Sequence, residues 1–315
     1  MKNIDHHDEH DSPQYGTTER AAAMSRSTWT SVAVNVCLST AQIATGIFGK
    51  SQGLVADGIH SLSDLIADFV VLLAGHHSKK DADEDHPYGH QRFETGASLA
   101  LGLILLVVGL GMLWSAFLKL QSPETVPKVH TLALWVAGFA LVSKELLFRY
   151  MLAVAHRVKS SLLVANAWHA RSDAASSLVV ALGIIGNLAG YPILDPIAAS
   201  IVGFMVAKMG WEFGWEALND LMDRAADDEE VQAIRRTLQE TPGVIGVHDV
   251  NTRKMGDMIV VDAHIEVDAE ITVEEGHDIA VEARKRVMQH HRVLNLMTHI
   301  DPWKRPDLDH AIETS

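Results

Sequence analysis

The chain has 315 residues, of which 48% are hydrophobic and only one, Cys37, is a cysteine, and its formal net charge is −14. An intrachain disulfide and a thiolate metal cluster are thereby excluded, so any metal chemistry rests on His and carboxylates; the acidic balance excludes a nucleic-acid partner, because phosphate binding needs clustered Lys and Arg. Residues 27–215 are almost continuously apolar, whereas residues 225–315 carry about 19 acids against about 10 bases, the contrast expected of a membrane domain followed by an acidic soluble one.

Residues 1–25 are polar and include Asp5-His-His-Asp-Glu-His-Asp11. This tail is expected to be disordered and cytosolic, and able at most to bind metal weakly as a loose His-rich tract. No cleavable signal is expected before the first apolar run, which is itself long enough to cross a bilayer.

Six segments reach the ~20 mainly apolar residues that one crossing needs: 28–49, 53–75, 94–118, 129–151, 163–189 and 193–215. An even number leaves both termini on one side. Arg20, Arg26, Lys79, Lys80, Arg92, Arg149, Arg157 and Lys159 flank the segments on that side, against Lys50, Lys119 and Lys128 on the other. The positive-inside rule therefore places both termini in the cytoplasm. Trp29, Trp114, Trp211 and Trp215 fall near segment ends, where an interfacial aromatic belt belongs.

The second segment contains Asp57, His60, Asp64 and Asp68, a polar stripe at steps of three, four and four; the fifth contains Asn166, His169, Asp173 and then Ser176 and Ser177. Four residues apart on a helix is one face. Ionisable groups in lipid-spanning helices are costly, and two such His-x-x-x-Asp pairs call for a partner that offsets the cost. Two imidazoles and two carboxylates make a tetrahedral set suited to Zn²⁺ and less sharply to Co²⁺, Cd²⁺ or Ni²⁺. The bland alternative is a pair of hydrogen-bonding stripes that glue helices together. Asp57, Asn166 and Asp68 are read as orienting the ligands or wetting the access path.

The loop after segment two, Asp-Ala-Asp-Glu-Asp-His-Pro-Tyr-Gly-His, offers Asp83, His86 and His90 as ligands for a second ion. A solvated acidic loop competes with that reading. Further on, residues 227–240 read as a helix with Asp-Asp-Glu-Glu at its positive end, 244–252 and 258–268 as strands, 274–290 as an amphipathic helix and 293–300 as a last strand. Ile259, Val261, Ala263, Ile265 and Val267 share one face of the second strand. This order allows a two-layer α/β unit. His248 and His264 lie on its successive strands, His277 on the helix, and His299 with Asp301 on the final strand, close enough in such a fold to share metal.

Three stretches, Ala56-Asp-Gly-Ile-His60-Ser-Leu-Ser-Asp64, His86-Pro-Tyr-Gly-His90-Gln-Arg-Phe-Glu94 and His169-Ala-Arg-Ser-Asp173, resemble the cation diffusion facilitator family. So do Pro242-Gly-Val-Ile-Gly-Val-His248-Asp and Thr298-His-Ile-Asp301-Pro. The resemblance covers about residues 25–303 and implies a multi-pass α-helical membrane protein of six transmembrane helices, with a C-terminal cytoplasmic ferredoxin-like α/β domain. It implies a homodimer in the lipid bilayer that exchanges metal for protons. By position it makes His60, Asp64, His169 and Asp173 the transport site, Asp83, His86 and His90 a loop site, and His248, His264, His277, His299 and Asp301 a binuclear site near the soluble dimer interface. Arg92 and Asp223 match a salt bridge between membrane and soluble domains, with Arg where Lys is usual. Bacterial members closest in loop and soluble motifs often carry Asp at the position of His60, whereas zinc-selective members carry His.

The expected organisation is a tail at 1–25, a transport domain at 26–216, a metal-binding dimerisation domain at 217–303 and a second tail at 304–315. The expected activity is export of divalent cations, chiefly Zn²⁺, from the cytoplasm with protons as counter-ion, across the inner (plasma) membrane if the source is bacterial. A membrane-bound metal sensor, an exporter whose main ion is Co²⁺, Cd²⁺ or Fe²⁺, and an intramembrane hydrolase remain as alternatives. The hydrolase would need an open coordination position and a general base; four converging ligands leave no such position.

Overall fold

The computed structural model describes residues 15–304 other than 79, 81, 159, 160 and 257. The His-rich run at 5–11 and the tail beyond Lys304 lie outside the described residues, as do the side chains of Asp68 and Asn166. Six long helices come first: α1 (Tyr15–Phe48), α2 (Gln52–Ser78), α3 (Arg92–Gln121), α4 (Thr131–Val158), α5 (Ser161–Leu188) and α6 (Leu194–Leu221). They are followed by α7 (Asp228–Gln239), β1 (Gly246–Met255), β2 (Met258–Asp268), α8 (Val273–His290) and β3 (Val293–Trp303). The expected order of elements is found, with α1 beginning a full 13 residues before the apolar run at 28.

Among the described residues, α1 from Arg26, α3, α4 to Arg157 and α6 are long and apolar enough to cross a membrane. Helices α2 and α5 are as long, at 27 and 28 residues, about 40 Å at 1.5 Å per residue.

The structure divides into two compact units, the first holding the residues up to Asp68 and Leu105–Gly210, the second Phe69–Ile104 and the chain from Trp211 onward. The first unit is a helix bundle. Its buried cluster is rich in small residues, Ala56, Ala116, Ala133, Ala137, Ala181, Ala198 and Ala199 among Leu54, Val180, Ile184 and Val202. Lipid tails are as apolar as Leu, so such helices associate through close packing rather than hydrophobic burial. Gly183 on α5 shows how close: a Cβ there would sit 2.6 Å from the Ala198 Cβ on α6. The outward surface instead carries large apolar side chains, among them Val107, Trp135, Phe139 and Phe204. Asp195, in the first turn of α6, caps α2, accepting from the Ser51 hydroxyl at 2.5 Å and the Gln52 amide at 2.7 Å. That satisfies donors which a helix start otherwise leaves open.

In the second unit β1, β2 and β3 form one sheet in that order, β1 antiparallel and β3 parallel to β2. Ile259, Val261, Ala263, Ile265 and Val267 are all buried, as the period-two pattern requires. Ile234 and Leu238 of α7 and Ala283 and Val287 of α8 belong to the same core as β2. Thr272 starts α8 with a capping box closed by Glu275. Because one sheet face is covered by helices, Asp262, His264 and Glu266 fall on the other. The end of α6 turns through Asp223, whose φ of 61° lets the Arg224 amide reach back to the Asn219 carbonyl at 3.1 Å, a left-handed helix stop that Asp tolerates better than most side chains. Arg92, at the start of α3, meets Asp223 at 2.5 Å.

Candidate metal centre

On α2, His60 and Asp64 stand on one helical face with His60 Nδ1 3.5 Å from an Asp64 oxygen, and His60 Nε2 lies 4.0 Å from Asp173 Oδ1 on α5. Ligand atoms of His60, Asp64 and Asp173 all fall within 4.8 Å of one another, and His60 and Asp173 are buried. His169 is exposed and outside this trio, one helical turn away from Asp173. It lines a cavity of about 40 Å³ together with Asp64, Asp173 and Thr28, Ser31 and Asn35 of α1, and so borders the same space as the trio. The contribution of α1 was not legible from spacing, because these three polar residues carry no metal-ligand pattern.

Asp57 is deeply buried and does not face that cavity. It accepts from Ser176 Oγ at 2.9 Å, Ser177 Oγ at 2.5 Å and the Gln42 amide, and pairs with Lys144 of α4 at 3.3 Å. Two of these partners, Lys144 and Ser176, also donate to the backbone carbonyl of Asp173, at 3.4 and 2.8 Å.

The loop brings Asp83, His86 and His90 together as read from the sequence, with His90 Nε2 3.4 Å and His86 Nδ1 3.3 Å from the Asp83 carboxylate. The His86 backbone amide donates to Asp83 and holds its carboxyl down at about 2, helped by Lys80. His77, from the end of α2, was not anticipated; its ring meets His90 edge-on at 5.9 Å.

In the soluble domain strand register does what spacing alone does not. His248 pairs with His264 across β1 and β2, and His264 with His299 across β2 and β3, so three imidazoles form a row across the uncovered sheet face. Asp301 reaches back to this row, 2.9 Å from His264 Nδ1, 3.4 Å from His248 Nε2 and 3.3 Å from His299 Nε2. His248, His264 and Asp301 are mutually within ligating reach, with His299 joined through Asp301. His277 does not join them: it is exposed on α8 and belongs to none of the clusters among the described residues. Glu266, 3.8 Å from His248 Nε2, is an unanticipated neighbour. The His264 ring holds the Asp301 carboxyl below the usual range. Asp83 and Asp301 thus remain ionised well into acid.

The described residues thus hold three clusters of the same chemistry, one between α2 and α5, one in the loop before α3 and one half-buried on the sheet. Residues 28–222 match the family described as the cation efflux transmembrane domain, and residues 226–303 the cation efflux protein cytoplasmic domain. The chain belongs to the cation diffusion facilitator family. It is similar to metal tolerance protein 2 of Oryza sativa subsp. japonica, 35% identical over 295 residues that cover 85% of this chain and 76% of that protein. It is 33% identical to the manganese efflux system protein MneS of Bacillus subtilis (strain 168), covering 87% and 94%, and 32% identical to the magnetosome protein MamB of Magnetospira sp. (strain QH-2), covering 82% and 88%. As a cation diffusion facilitator it is an integral membrane transporter of divalent metal cations and not an enzyme.

Proposed function

We propose that this cation diffusion facilitator exports Zn²⁺ from the cytoplasm in exchange for protons, as a homodimer with both termini in the cytoplasm. The observation that carries the reading is the convergence of His60, Asp64 and Asp173 between α2 and α5, with His169 on the same cavity. Two carboxylates cancel the charge of a divalent ion where water cannot, and two imidazoles favour Zn²⁺ over cations that want more oxygen. Both imidazoles must be neutral to bind, so metal loading expels protons and protons expel metal. Alternating access would expose the site first inward and then outward, and the soluble domain, by binding metal between protomers, would bias that equilibrium. The domain limits 26–216 and 217–303 belong to this reading, as do the loop and soluble clusters as metal sites.

Manganese is the second reading, favoured by the name of the Bacillus subtilis relative. The residue at position 60 separates the two. His60→Asp replaces an imidazole with a hard, charged oxygen ligand, and transport by reconstituted protein over a metal panel should shift at least severalfold from Zn²⁺ toward Mn²⁺, Cd²⁺ or Fe²⁺. An unchanged ranking would mean that His60 does not set specificity.

Regulation by the soluble domain has its own test. Replacing His264 and Asp301 together by Ala removes the carboxylate that binds the histidine row, while both residues stand on the uncovered sheet face away from the core. Metal-dependent compaction of the dimer, read by small-angle scattering, should weaken and apparent affinity for transport should fall, with maximal turnover reduced but measurable. Complete loss of transport in the folded double variant would put that cluster on the conduction path instead.

A further inference from the structure

Among the described residues Lys144 is the largest fully buried side chain, although its neighbours on α4, Ser143 and Glu145, are polar. A buried ammonium in a lipid-spanning helix is costly enough to ask what it serves. Its Nζ lies 3.3 and 3.4 Å from the two Asp57 oxygens, donates to Ser177 Oγ at 2.7 Å and to the Asp173 carbonyl at 3.4 Å. The same ammonium is therefore bound to the backbone of one transport-site residue and, through Asp57, to the helix turn that precedes another, His60. Asp57, Asp64 and Asp173 against Lys144 leave two negative charges, the amount one divalent cation neutralises. A lysine is a point charge on a flexible four-carbon stem, and the carbonyl it already touches belongs to Asp173, whose carboxylate is part of the site.

We propose that Lys144 is a tethered cation held off the transport site by Asp57, so that the Lys144–Asp57 pair sets how tightly the site holds a divalent ion. This rests on the assignment of His60, Asp64, His169 and Asp173 as that site. Asp57 acts as a positioning residue: it anchors the rival charge, and Ser176, Ser177 and the Gln42 amide complete its shell. Removing the Asp57 charge frees the ammonium to pair with the Asp173 carboxylate, where it competes with metal. Removing Lys144 as well eliminates the competitor.

The test is Zn²⁺ binding to the full-length dimer, with His86, His90, His248 and His264 replaced by Ala so that one site is read, by competition with a chromophoric chelator. Asp57→Asn is expected to weaken Zn²⁺ binding about tenfold or more, the scale of one added unit charge within about 8 Å at an effective dielectric constant of ~20. Adding Lys144→Met to that variant is expected to restore affinity to within about threefold of the parent. A merely structural pair predicts the opposite, since a double change in the core accumulates damage; a double variant that binds no better than Asp57→Asn overturns the proposal. The substitution is accommodated by the surroundings, because Gln42 Oε1 has no hydrogen-bond partner and can turn to accept from the new amide. Lys144→Met alone provides a readout independent of that variant: Asp57 keeps its three neutral donors, and Zn²⁺ should bind at least as tightly as in the parent, with weaker binding again overturning the idea. In the same assay Asp64→Ala reports on the site itself; undiminished Zn²⁺ binding there would defeat the site assignment and not the role of Lys144.

Discussion

Asp64→Ala and Asp173→Ala should each reduce Zn²⁺ transport in proteoliposomes below about 1% of wild type while leaving a folded dimer. Outer-shell partners of a metal ligand alone are worth about 10–100-fold in affinity, so loss of a direct ligand exceeds that. It also removes one of two charges that offset the ion in a medium that cannot solvate it. The fold should tolerate both changes for reasons visible at the site. The hydrogen bonds that tie residue 173 into the bundle come from Lys144 and Ser176 to its backbone carbonyl, which alanine keeps. Asp64 stands one turn after His60 at the wall of the small cavity, where a shorter side chain adds space without a clash. Size-exclusion chromatography and thermal melting establish the folded dimer before transport is read. Near-normal Zn²⁺ flux by either variant would remove α2 and α5 as the ion pathway, whatever the soluble domain binds.

What was legible in the sequence follows from which physical rule each feature obeys. Helix periodicity placed His60 with Asp64 and His169 with Asp173 on common faces, and period two named the buried residues of β2. Neither rule says which faces meet. Lys144 is separated from Asp57 by 87 positions and stands next to Glu145 with Arg149 five residues on, so nothing local marks it as the partner of a particular distant carboxylate. The same holds for Asp195, which caps α2 from 143 positions along the chain, and for Thr28, Ser31 and Asn35 on α1. The soluble cluster shows the limit from the other side. Strand identity was readable, but register was not, and register is what aligns His248, His264 and His299 into a row and leaves His277 outside it on α8.

Reversing an imposed proton gradient should reverse the direction of Zn²⁺ movement through the reconstituted protein with the voltage clamped. The geometry at His60 supplies the reason. Both of its ring nitrogens face a carboxylate, Nδ1 toward Asp64 and Nε2 toward Asp173, so a protonated ring finds an acceptor on each side and the proton replaces part of the charge that the metal brings. A protonated ring cannot ligate, and it repels a dication; a bound dication in turn leaves no lone pair for the proton. Competition of this kind makes the two gradients thermodynamically linked. Zn²⁺ binding to protein lacking the loop and soluble-domain ligands should release protons and weaken as pH falls. In vesicles, an outward proton gradient should then draw Zn²⁺ inward, and an inward gradient should drive it out. A channel or uniporter would show Zn²⁺ flux indifferent to the size and sign of the proton gradient, and that result would retain metal transport while ruling out exchange. His60→Asp gives the control within the same site: it keeps a metal ligand but removes one imidazole, so proton release per Zn²⁺ bound should change even where Zn²⁺ still binds.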